Sequence, residues 1–273
     1  MIYILKNKFI TLSVDSDGGS MSSINYLGEE RQWQGGEFWN SRDVVIFPVV
    51  GHAGEYSAEG KTFTPRSHGV ARYSEFALVD INLEKLTLEL TSNAVTRQTY
   101  PYDFCFLITY ALKKNTIKVT YTVKAKKGKI PFYVGGHPGL KAPGGEAVVE
   151  FDNEETPVLY PVDGSEKVQL PAMKRFIANK QFFKECKTFQ LGGLSGGNIN
   201  VLTQDGYKYT FKSDCPVFAF WSNEEGGDYI CAEPWWGIND FEGAPKELAE
   251  KPFINFADEN GKSFSYTLTI DKI

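Results

Sequence analysis

An all-β fold, a large antiparallel β-sandwich with little helix, follows from three features of this 273-residue sequence. Apolar and polar residues alternate in segment after segment, the pattern of half-buried strands. Turn residues, chiefly glycine beside asparagine or aspartate, recur between those segments. No sustained helical period is present, and no unit of roughly 20 to 50 residues repeats. Many short strands joined by frequent turns mean a sandwich or a barrel.

Ile2, Ile4, Ile10, Leu12 and Val14 begin the alternation, and Asp17-Gly18-Gly19 turns the chain. The stretch from Trp33 to Trp39 is glycine-rich and aromatic, which predicts a loop. Val44 to Gly51 is a continuous apolar run that reads as a buried strand interrupted by Pro48. Glu59-Gly60 predicts a hairpin between residues 55–58 and 61–64. Phe76, Leu78, Leu86, Leu88 and Leu90 then alternate with polar residues.

The clearest hairpin pairs Phe104, Phe106, Ile108 and Tyr110 with Ile117, Val119, Tyr121 and Val123 around Lys113-Lys114-Asn115. Pro131 to Val134 runs into Gly135-Gly136-His137-Pro138-Gly139. Residues 141–198 are richer in glycine and proline, so loops and short strands are expected. A second hairpin turns at Asp205-Gly206, and another joins Val217 to Trp221 with Asp228 to Cys231. Lys246 to Glu250 reads as one or two helical turns, and Phe264, Tyr266, Leu268 and Ile270 close the chain. The length suits one large β domain or two small ones. No linker-like change in composition divides it, so residues 1–273 read as a single domain.

The net charge of −5 comes from interspersed acids and bases, and no basic cluster suits nucleic acid. Cys105, Cys186, Cys215 and Cys231 show neither a close pair nor a zinc spacing. Cys105 and Cys231 lie in apolar runs, where a thiol behaves as a small hydrophobe. The N-terminal apolar run is too short for a signal peptide, and no later run is long enough to cross a membrane. The expectation is a cytoplasmic protein with reduced thiols.

Glu233 stands between an apolar strand-like run and two tryptophans, Trp235 and Trp236. Pro234 removes a ladder donor and biases Glu233 towards extended backbone, and Gly237 lets the chain turn. This predicts an acid at a strand end, facing an aromatic-walled space. Such walls suit sugar rings, which have apolar C–H faces and hydroxyl rims. Burial there would raise the carboxyl pKa. The structural alternative makes both tryptophans core and Glu233 a satisfied surface acid.

The chain has three histidines, His52, His68 and His137, each beside glycine or proline at the end of an apolar or extended segment. Loops at strand ends are where a rigid scaffold holds binding residues. A zinc site would need ligands brought together by the fold alone, since no histidine pair has a common zinc spacing, so no metal is expected. A nucleophilic triad lacks its Gly-x-Ser-x-Gly elbow. Acid/base chemistry by a carboxylate and an imidazole across a polar ligand fits best.

Four stretches resemble the galactose mutarotase-like (aldose 1-epimerase) family, in particular its short LacX-type members. They are Phe47-Pro48-Val49-Val50-Gly51, His68-Gly69-Val70-Ala71-Arg72 with Ser74-Glu75-Phe76, Gly135-Gly136-His137-Pro138, and Glu233-Pro234-Trp235-Trp236-Gly237. Each is weakly specific, but the four occur in the family's order across most of the chain. The resemblance implies a large antiparallel β-sandwich that interconverts the α and β anomers of a free hexose such as galactose or glucose. No cofactor is implied. By motif, Glu233 resembles the general base at sugar O1, His137 the general acid at ring O5, and His68 the second histidine near O5. His52, Arg72, Trp235 and Trp236 are the expected substrate contacts. The partner is a small-molecule sugar, with no nucleic acid or membrane, and a homodimer is compatible with this reading.

The sequence departs from the family where His52 stands in place of the usual arginine. The Ile-Arg-Gly-Gly motif of related hexose-6-phosphate epimerases is missing, although Arg42 and Arg72 offer charge. Ala257 to Gly261 replaces the usual Pro-Gly-Glu turn. Two other readings follow, a non-catalytic carbohydrate-binding sandwich and an epimerase of a sugar 6-phosphate. Trp221 and Phe38 are expected in the core, and Asn239 and Asp240 as turn caps.

Overall fold

A computed structural model describes every residue except Ala53, Gly164 and Glu242. The described chain is 52% strand and 7% helix, which makes the fold all-β as expected. Two large antiparallel sheets form the body. One has nine strands, ordered Met173–Ala178, Ala147–Glu155, Asn198–Thr203, Tyr207–Ser213, Lys262–Lys272, Thr116–Ala125, Phe104–Lys113, Lys85–Thr91 and Ala77–Ile81. The expected hairpin is present at full length, with Phe106 opposite Val123 and Ile108 opposite Tyr121. Its inward residues are buried every second position.

The eight-stranded sheet carries the site. Thr188–Gly192, Val217–Trp221 and Tyr229–Trp236 lie side by side, with Val134–Gly136 and then Val45–Ile46 beyond. Gly139–Lys141 also pairs with Tyr229–Trp236. The two sheets stack through aromatic rings. Tyr121 meets Trp236 at 6.5 Å between centroids, and Phe211 meets Phe218 at 5.6 Å. Such edge-to-face pairs add about 0.5–1.5 kcal/mol each to the area they bury.

Three local expectations change. Of the apolar run 44–51, only Val45–Ile46 is strand. Phe47 and Val50 continue it as isolated bridges to Gly69 and Asn239. Its burial is as expected, because Val44, Ile46, Phe47 and Val49 serve two clusters on either side of the sheet. The looser middle segment contains the nine-residue strand Ala147–Glu155 and the α-helix Lys180–Cys186. The helix is capped by Asn179, whose side chain accepts the Phe182 N–H at 2.9 Å. Finally, Glu233 is not at a strand end, since Tyr229–Trp236 runs on past Pro234. Residues 246–250 hold one 3-10 turn, Leu248–Glu250, within the one or two helical turns expected.

Candidate active site

Alternation along Tyr229–Trp236 sorts its side chains. Ile230, Ala232 and Trp236 face the main core between the sheets. Cys231, Glu233 and Trp235 therefore share the opposite face. The neighbouring chain pairs with this strand twice in one unbroken register. Gly135 lies opposite Trp235, and Gly139 lies opposite Cys231. Between those pairings the ladder is open, and Pro234 and Pro138 stand there without an N–H to donate. His137 falls in register directly across from Glu233.

The side chains meet as that register requires. His137 Nε2 is 3.3 Å from Glu233 Oε2, and both residues are buried. Trp39 stacks on the His137 ring at 5.2 Å and 26°. Trp221 meets the same ring edge-on at 5.7 Å. His68 stands perpendicular to His137, with 5.2 Å between centroids.

His68 is positioned by backbone. It has φ of 63° and is followed by Gly69 at 80°, so two successive left-handed residues present the imidazole. Its N–H donates to the Gly51 carbonyl at 2.9 Å, and its carbonyl accepts from Phe47. The Gly51 N–H donates to His68 Nδ1 at 3.2 Å. Nδ1 must then be unprotonated, which leaves the ring proton on Nε2.

These groups line one pocket of about 500 Å³. His52 is exposed at its edge, and Arg72 lines it while donating to Ser41 Oγ at 2.9 Å. Trp235 forms part of the wall. Trp236, expected beside it as a sugar contact, is instead core, with its indole N–H donated to Asp214 Oδ1 at 3.1 Å. Phe38 and Trp221, expected in the core, lie on the pocket wall. So does Asn239, whereas Asp240 is held by Lys251 at 2.7 Å. Trp39 was not singled out in the sequence. Its only signal is an aromatic residue in a glycine-rich loop.

Electrostatics mark the pocket floor. Burial pushes the Glu233 carboxyl well above the usual carboxylate range, and buried Asp43 adds to the rise. Burial pushes His137 down to about 3, and Arg72 works in the same direction. His68 is also lowered, by burial first and then by His137. Among the described residues, both Glu233 oxygens, His137 Nδ1, Trp235 Nε1 and Asn239 Oδ1 are buried without a hydrogen-bond partner. Such groups are costly unless a ligand completes them. Glu233 is thus not the satisfied surface acid of the structural alternative. One nitrogen of His137, the Cys231 sulfur and one Glu233 oxygen also lie within 4.8 Å of one another.

A sequence model described as aldose 1-epimerase matches residues 1–269. The chain belongs to the aldose 1-epimerase family. Protein LacX, chromosomal, of Lactococcus lactis subsp. lactis is similar at 25% identity, covering 97% of this chain and 98% of its own. A galactose mutarotase related enzyme from Lactobacillus acidophilus superposes with a TM-score of 0.92 at 26% identity, covering 100% of this chain and 98% of its own. A galactose mutarotase-like protein from Lactobacillus casei shares the fold, with a TM-score of 0.91 at 20% identity over 99% of this chain and 100% of its own. The resemblance read from the four motifs is therefore correct for the family and the fold. Family and fold support a sugar epimerase or mutarotase function. Among the described residues, no helix is long and apolar enough to cross a membrane.

Proposed function

We propose that this aldose 1-epimerase family member is a mutarotase of a free hexose such as galactose or glucose. The observation that carries the reading is the His137–Glu233 contact of 3.3 Å on the floor of an aromatic-walled pocket. O1 and O5 of a pyranose are both bonded to C1. Two groups in mutual contact can therefore serve both oxygens of one sugar at once.

In the proposed cycle the pair starts as His137 imidazolium and Glu233 carboxylate. Glu233 takes the O1 proton while His137 gives its proton to O5. The C1–O5 bond breaks and the C1–O1 double bond forms. Rotation about C1–C2 turns the other carbonyl face to the ring hydroxyl, and the reverse steps close the second anomer. The pair ends the first half as neutral imidazole and carboxylic acid, with its total proton count unchanged. Burial favours that uncharged form, while attraction between opposite charges in a low dielectric keeps the ion pair accessible. His68, with Nε2–H free, donates near O5. Trp39, Trp221 and Trp235 offer apolar faces to the ring, and His52 and Arg72 meet its hydroxyls at the edge.

Polarimetry of freshly dissolved α-D-galactose and α-D-glucose tests this, with wild type and Glu233→Gln side by side. Acceleration by wild type that the substitution abolishes is the expected result. No acceleration with either sugar would remove the free-hexose reading. Competition by glucose 6-phosphate would then separate a sugar-phosphate epimerase from a binding module.

A further inference from the structure

We propose that Cys231, His137 and Glu233 form a binding site for a zinc-class divalent cation, and that this cation and the sugar exclude one another. Cys231 and Glu233 are two residues apart on one strand, so both side chains leave the same face. His137 lies across the ladder from Glu233. Their ligand atoms are within 4.8 Å of one another, and all three residues are buried. Tetrahedral zinc bonds of about 2.0–2.3 Å hold ligand atoms roughly 3.3–3.8 Å apart, so closing the trio takes a movement of about an ångström.

The donor set selects the ion. Thiolate, imidazole and carboxylate together suit zinc, whereas magnesium and calcium require oxygen. Among the described residues, neither Glu233 oxygen has a hydrogen-bond partner. A cation is one group that completes them, and a sugar is the other. His137 and Glu233 also line the pocket, which gives the ion its entrance and leaves room for a fourth ligand such as water. Three protein ligands with one open position is an arrangement zinc accepts.

The consequence for activity rests on the mutarotase reading, because an ion on His137 and Glu233 removes both the acid and the base. The binding itself does not depend on that reading. Cys231 has no place in the acid/base cycle, so Cys231→Ser should mutarotate like wild type without metal.

Zinc binding is measured by competition with a chromophoric chelator, for wild type and Cys231→Ser. One tight zinc per chain is expected in wild type. Loss of the sulfur should weaken binding at least as much as losing an outer-shell partner does, about 10- to 100-fold. Zinc should stop mutarotation, and EDTA should restore it. Equal zinc affinity in the two proteins overturns the site. In a protein that mutarotates galactose, zinc binding unaffected by saturating galactose overturns the exclusion. Should Cys231→Ser fail to fold, cobalt added to wild type gives a second reading. A thiolate-to-cobalt charge-transfer band that is missing from Glu233→Gln supports the trio, and no such band overturns it. A protein inactive on every sugar but retaining Cys231-dependent zinc binding would lose the mutarotase reading alone.

Discussion

His137 stands directly across the ladder from Glu233, at the one place where two prolines open the pairing between their strands. The 3.3 Å contact between them follows from sheet register, not from the flexibility of a loop. Groups that act as a unit are not additive. Glu233→Gln and His137→Asn should each slow mutarotation by about 10²- to 10⁴-fold. The double variant should be no slower than the slower single one. Rates multiplying in the double variant would mean that the two residues act independently.

Asp43 offers a pH test of burial. Its Oδ2 accepts the Met21 N–H at 3.0 Å, and burial raises its carboxyl to about 6 from the ordinary 3.8. A raised acid binds its proton more tightly folded than unfolded. Its contribution is complete below about pH 3.8 and is lost as pH rises through 6. Asp43→Asn keeps an acceptor for Met21 and never ionises. It should gain on wild type between pH 4 and 7, by up to about 3 kcal/mol. Urea unfolding of both proteins at pH 4 and pH 7.5 measures this, and a pH-independent difference would contradict it.

Gly69 is required by its surroundings. A Cβ there would sit 2.3 Å from the Phe47 carbonyl oxygen and 2.7 Å from Pro48 Cδ, at a φ of +80°. The left-handed backbone alone costs a side chain about 1–2 kcal/mol, and the clash adds to it. Gly69→Ala should destabilise the fold by about 2 kcal/mol or more. It should also weaken sugar binding, because His68 is the preceding residue. Denaturant midpoints and KM check the two effects separately.

Trp39 covers His137 and also packs edge-on against Trp221 at 5.6 Å. Trp39→Ala should raise KM for galactose about tenfold, equivalent to 1.4 kcal/mol of lost binding. Trp39→Phe retains a flat face and should recover most of that loss. If alanine and phenylalanine behave alike, stacking is not what Trp39 contributes.

The strands were legible wherever one face is buried and the other wet, as in Phe104–Lys113 and Thr116–Ala125. There the period of two is visible residue by residue. Alternation failed for Val44 to Gly51, where residues serve clusters on both faces and only Val45–Ile46 keeps a ladder. It also failed around Glu233, where a proline suggests a strand end but stands at a gap in the neighbouring ladder. The wall residues Trp39, Phe38 and Trp221 carry no local sign of their role, since an aromatic side chain suits a core and a sugar pocket equally.

The sequence by itself determined the all-β class, the family and the three histidines and the one carboxylate, Glu233, that line the pocket. Strand period, turn residues and short motifs are local properties, and each can be read without knowing what lies across the sheet. Only the tertiary structure decided that Trp235 lines the pocket while Trp236 is core, and that His137, Cys231 and Glu233 come within 4.8 Å of one another. Those facts depend on which face a strand buries and on register between strands about a hundred residues apart in the chain. A shift of one residue would turn every one of those side chains to the other face.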